Sequence, residues 1–145
     1  MLTDKRIAEV RELLARVREW AAQRTDVAAV ASVGSWARND ARMDSDVDLV
    51  VLTDTQQSYL RGERWVAELG GLKIVKSACW GPLTERRFVL PSGLEVEVGI
   101  APVAWAATDP VDGGTRRVVE DGMCIIYDPR ELLRSLADAC RRSDH

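Results

Sequence analysis

The chain has 145 residues, 46% of them hydrophobic and 30% charged, with a formal net charge of −3. That length suits a single domain spanning residues 1–145 with a real core, and the composition excludes a disordered chain, collagen and a coiled coil. Charges of both signs are interspersed with no run of Lys or Arg, the start MLTDKRIAEV lacks the apolar stretch of a signal peptide, and no window has the apolar length of a membrane span. The expectation is therefore a cytoplasmic protein with neither a nucleic-acid nor a membrane partner.

In chain order, Ile7, Val10, Leu13, Leu14, Val17 and Trp20 recur at helical spacing, predicting an amphipathic helix from Asp4 to Arg24 with Thr3 as its N-cap. Asp26 to Val33 reads as a short strand buried on both faces and stopped at Gly34-Ser35. A short helix from Ser35 to about Ala41 leads through Asp44-Ser45-Asp46 into a strand, Val47 to Leu52. A second helix is expected from Gln57 to Leu69, packing through Tyr59, Trp65 and Leu69 and closed by Gly70-Gly71.

The period then changes. Leu72 to Trp80, Thr84 to Leu90 and Leu94 to Ala101 read as strands, separated by Gly81-Pro82 and by Pro91-Ser92-Gly93, the latter a hairpin turn. A helical turn near Val118 leads to a strand from Met123 to Tyr127. Asp128-Pro129 opens a last helix, with Asp as cap and Pro at the first helical position, burying Leu132, Leu133, Leu136 and Ala137. The sum is a mixed β-sheet flanked by helices, class α/β (α+β).

Cys79, Cys124 and Cys140 are odd in number and widely spaced, which fits buried free thiols better than disulfides or zinc ligands. The one histidine, His145, is the last residue, too terminal to serve a buried nucleophile, so Ser-His and Cys-His chemistry is not expected. Arg86-Arg87 and Arg116-Arg117 read as solvated faces.

The chemistry concentrates in VASVGSWARNDARMDSDVDLVVLT. Residues two apart in a strand share a face, so Asp46 and Asp48 bring two carboxylates together while Leu49 to Leu52 anchor the strand. Such a pair repels itself unless a cation intervenes, and hard oxygen ligands suit magnesium. Taken alone, Asp-x-Asp is better read as a solvated acidic turn. Gly34-Ser35 changes the weighting, because it ends the preceding strand at a helix start, where free backbone amides attract phosphate. By itself it too is only a turn with a cap.

Gly34-Ser35, ten intervening residues and Asp46-Val47-Asp48, arranged as strand, helix, strand, resemble the nucleotidyltransferase superfamily, which includes DNA polymerase beta and the aminoglycoside and lincosamide nucleotidyltransferases. The resemblance, carried by residues from about Val27 to Ala101, implies the polymerase-beta palm-like fold and an enzyme. It implies triphosphate binding at Gly34 and Ser35, two magnesium ions at Asp46 and Asp48, and a third carboxylate on a neighbouring strand. In LEVEVGIAP, Glu95 and Glu97 share one strand face and are roughly 7 Å apart. Glu97 is favoured as catalytic residue and metal ligand, since it lies further inside the strand between Val96 and Val98. Arg38 and Arg42, between the halves of the motif, can reach triphosphate oxygens or can be surface arginines. Trp36 can stack on a base or pack beneath the turn.

The implied reaction transfers a nucleoside monophosphate, AMP from ATP, to a hydroxyl of a small-molecule acceptor and releases pyrophosphate. Two alternatives stand beside it. One is a minimal nucleotidyltransferase that modifies a partner protein in a toxin–antitoxin pair. The other is a nucleotide-binding regulator without turnover.

Overall fold

A computed structural model of the protein describes residues 2–142; His145 lies outside them. The first helix, α1 (Asp4–Ala22), starts where the Thr3 hydroxyl accepts the Arg6 N–H at 3.1 Å. Its Val10, Leu13, Val17 and Trp20 are buried, the stripe that the helical period requires. Strand β1 (Ala29–Val33) follows, then α2 (Gly34–Ala37), only four residues long. The expected continuation to Ala41 fails because Asn39 takes a positive φ of 59°, which a right-handed helix cannot contain.

Strand β2 (Val47–Leu52) has the expected bounds. The single helix expected from Gln57 to Leu69 is instead two, α3 (Gln56–Arg61) and α4 (Arg64–Glu68), because Gly62 adopts an extended backbone between them. Trp65 makes the break tolerable: its indole N–H, buried with the ring, donates to the carbonyls of Tyr59 at 2.9 Å and Gly62 at 3.1 Å. Trp20, Tyr59, Trp65 and Phe88 then form a chain of edge-on ring contacts joining these helices to the sheet.

The strands β3 (Lys73–Trp80), β4 (Leu83–Val89) and β5 (Glu95–Ala101) lie within a residue of expectation at each end. A 3-10 turn at Val103–Ala106, not foreseen, buries Trp105. Helix α5 (Gly113–Asp121), capped by Asp112, is longer than the turn expected near Val118. After β6 (Met123–Tyr127) comes α6 (Leu132–Arg142). Asp128 does cap it, accepting the N–H groups of Leu133 and Arg134 at 3.1 and 2.9 Å. Pro129, however, sits in the turn before the helix rather than at its first position, because Glu131 interrupts with φ 56°.

The six strands form one mixed sheet in the order β3-β4-β5-β2-β1-β6, with β2 and β5 parallel and the other neighbours antiparallel. Alternation along the strands divides the core. Val47, Leu49 and Val51 of β2 join Val96, Val98 and Ile100 of β5 beneath α1. On the other face Val50, Leu52 and Ala101 pack with Trp105, Leu133 and Leu136. Two cysteines depart from expectation: only Cys140 is buried, while Cys79 and Cys124 are exposed on the edge strands β3 and β6, which have no neighbour on one side. Among the described residues no helix is long and apolar enough to cross a membrane.

Candidate functional site

Parity places the site on the face opposite α1. Asp48 alternates with Val47 and Leu49, so its side chain emerges on the same face as Val50, near the start of β2. Across the parallel β2–β5 ladder Asp48 is the register partner of Glu97, and across the antiparallel β5–β4 ladder Glu97 is the partner of Arg87. On the other side Asp48 faces Val33, the residue before Gly34. One row across four strands thus brings Gly34-Ser35, Asp48, Glu97 and Arg87 together.

Gly34 is the closest neighbour in this row. It has φ 74°, a conformation that glycine adopts freely, and a Cβ added there would stand 2.2 Å from Asp48 Oδ2. The glycine is what lets the turn and the carboxylate share one place. Val33, not Ser35, holds the N-cap position of α2, and no side chain caps that helix. Trp36 is half-buried against the α1 core, and its indole N–H donates to the Ser45 carbonyl at 3.3 Å, tying α2 to the loop before Asp46.

Arg87 reaches into the carboxylates from β4. One guanidinium nitrogen is 2.9 Å from Asp46 Oδ2 and 3.9 Å from Glu95, and another is 3.3 Å from Glu97 Oε2. Its side chain is only 23% exposed, so the reading of Arg87 as part of a solvated face is overturned. A signal for this lay in the sequence. The turn centred on Ser92 pairs residues equidistant from it, which sets Arg87 opposite Glu97.

Electrostatically the row is frustrated. The carboxyl of Asp48 is pushed up to about 7, by burial first, then by the charge of Glu97 and a hydrogen bond to it, with Arg87 pulling the other way. Asp46 is raised by burial and its acidic neighbours, against Arg87. Burial also works to raise Glu97, yet its contact with Glu85, the Arg87 guanidinium and the bond from Asp48 hold it below the ordinary range. Asp48 is therefore the member that keeps the proton. Glu95, two residues before Glu97 at the start of β5, is 41% exposed, and the β2–β5 register sets Glu97 rather than Glu95 beside Asp48.

Among the described residues no three of His, Cys, Asp and Glu stand grouped as a ready metal cage; Asp46 and Glu97 are instead paired with Arg87. The donor chemistry still fits a hard divalent cation: every candidate ligand atom is a carboxylate oxygen, and two of the carboxyls are held in contact by strand pairing. Among the described residues Arg38 and Arg42 form no ion pair with Asp46, Asp48, Glu95 or Glu97. Arg38 is exposed beside Asp40 and packs near Gly122, and Arg42 is exposed in the loop, its N–H donating to the Ser45 hydroxyl.

Residues 10–89, more than half of the chain, match the sequence profile of the nucleotidyltransferase domain. The chain belongs to that family of enzymes. Its solved relatives in fold include an aminoglycoside 6-adenyltransferase from Bacillus subtilis, with TM-score 0.52 and 10% identity over 66% of this chain and 36% of that one. A cytoplasmic RNA terminal U-transferase gives TM-score 0.53 at 23% identity, over 68% of this chain and 30% of that one. The polymerase core of the TRAMP RNA surveillance complex gives 0.52 at 17%, over 68% and 32%. The nucleotidyltransferase domain thus spans about a third of the length of these proteins, and at such identities they share its fold. No curated protein matches it in sequence. The matched stretch of this chain includes Gly34, Ser35, Asp46, Asp48 and Arg87 and stops before Glu95 and Glu97.

Proposed function

We propose that the chain transfers AMP from ATP to a hydroxyl of a small-molecule acceptor and releases pyrophosphate. The observation that carries this reading is the row itself: Asp48 and Glu97 are adjacent across parallel strands, and the Gly34 turn, having no side chain, packs directly against the Asp48 carboxylate.

Asp46, Asp48 and Glu97 would hold magnesium, which when bound offsets triphosphate charge and makes an acceptor hydroxyl easier to deprotonate. Gly34 and Ser35 bring backbone amides and a hydroxyl to the triphosphate oxygens. Glu97, with Glu95 as its alternate, accepts the hydroxyl proton, and the freed acceptor oxygen bonds to the α phosphorus as the bond to pyrophosphate breaks. Arg38 and Arg42 would serve the triphosphate from the loop side.

The net charge of −3 and the acidic site face argue for a small acceptor over RNA. A protein acceptor is the second choice, favoured by Leu72 and Val75 at the β3 edge, large apolar residues left 66% and 44% exposed. The test is to incubate the protein with each nucleoside triphosphate, magnesium and a panel of hydroxylated small molecules, an RNA oligonucleotide and co-purifying proteins, and to measure pyrophosphate release. ATP with a small acceptor should give turnover, lost in the Asp46→Asn, Asp48→Asn double variant. Equal release by that variant would sink the reading.

A further inference from the structure

The guanidinium of Arg87 stands among the carboxylates assigned above to the cation, and this juxtaposition has a use. We propose that Arg87 is a resident counter-charge which a divalent cation has to displace, so that this one side chain sets the affinity and selectivity of the cation site. The proposal rests on the reading of Asp46, Asp48 and Glu97 as the cation ligands.

Three features separate Arg87 from a structural ion pair. First, its partners are distributed: it bridges Asp46 from the loop before β2 with Glu97 and Glu95 from β5, holding apart groups that would otherwise turn toward one centre. Second, its fork is incompletely used. Nε is buried and has no hydrogen-bond partner among the described residues, whereas an arginine fixed for stability normally satisfies its donors. Third, the contacts lie within reach of solvent. Asp46 and Glu95 are 28% and 41% exposed, so the guanidinium can swing outward without unpacking the sheet. Its Cα, by contrast, is fixed by the β4–β5 register opposite Glu97.

The consequence follows from charge. Removing a positive charge a few ångströms from a dication site strengthens cation binding, by roughly tenfold or more even at an aqueous-like dielectric. Divalent binding therefore improves when Arg87 is neutralised, and a singly charged ion, which has half the repulsion to lose, gains less.

The test is direct titration of the nucleotide-free protein with manganese, free ion being counted by electron paramagnetic resonance, in wild type, Arg87→Gln, Arg87→Met and Arg87→Lys, each checked for folding by circular dichroism. The Gln and Met variants should bind manganese about tenfold more tightly, and Lys, which keeps the charge, should stay within about threefold of wild type. Two independent neutral variants guard against one failing to fold. Manganese binding by folded neutral variants that is equal to or weaker than wild type overturns the proposal while leaving the cation site standing. If neither wild type nor variants bind manganese, the cation site falls and the proposal with it.

Discussion

Asp48→Asn should stabilise the protein when no divalent cation is present, although it removes a proposed ligand. The Asp48 carboxyl rises from about 3.9 in a free aspartate to about 7 in the fold, through burial and then Glu97. A proton held more tightly by the folded state contributes stability that is full below about pH 4 and is lost as pH rises through 7. At about 1.4 kcal/mol per pH unit the ceiling on that loss is about 4 kcal/mol. Asp48 is only half-buried, and screening by water reduces the figure to about 1–2 kcal/mol. Asparagine carries no charge at any of these pH values, and its amide can donate to Glu97 in place of the proton. For a domain of this size the variant should melt about 3–6 °C above wild type at pH 8 in EDTA, with the gap closing as pH falls from 7 to 4. Thermal unfolding followed by circular dichroism across that range is the assay, and excess magnesium should raise wild type but not the variant. A variant that melts at or below wild type at pH 8 in EDTA, or a gap that does not change with pH, would refute the reasoning.

Glu97→Gln should lower transfer by roughly a hundredfold or more while leaving the melting temperature near wild type, and Glu95→Gln should do much less; single-turnover rates at saturating nucleotide decide it, and a large loss in Glu95→Gln alone would move the role to Glu95. Gly34→Ala should cost about 2 kcal/mol or more, since φ 74° disfavours alanine and its Cβ would collide with Asp48 Oδ2; urea unfolding and manganese affinity should fall together, and an unchanged affinity would show the turn and carboxylate to be independent. Ser35→Ala should change stability by less than about 0.5 kcal/mol, because Ser35 does not cap α2. Its nucleotide affinity, measured by calorimetry, should drop several-fold, and an unaltered affinity would remove Ser35 from the triphosphate site.

The family and the sheet-with-helices architecture were legible because their signals are local. Gly34-Ser35 and Asp46-Val47-Asp48 lie on consecutive elements, and β2 and β6 have the bounds that their apolar runs announce. Misreadings fell where one residue overrode a pattern. Gly62 split a helix whose period ran on through it, Asn39 ended another early, and Glu131 moved the start of the last one past Pro129. Cys79 and Cys124 sit among apolar neighbours but at sheet edges, and a position at an edge is not written in local composition.

By itself the sequence determined the alternation that puts Glu95 and Glu97 on one face and Val96 and Val98 on the other, and the turn that folds β4 back onto β5, since both depend on contacts between near neighbours in the chain. The tertiary structure alone decided that β5 lies parallel beside β2, in the register that sets Glu97 rather than Glu95 level with Asp48, and so that Arg87 meets Asp46. That pairing joins segments separated by several other elements. It follows from burying two apolar faces at once, a requirement of the whole sheet that no local stretch of residues expresses.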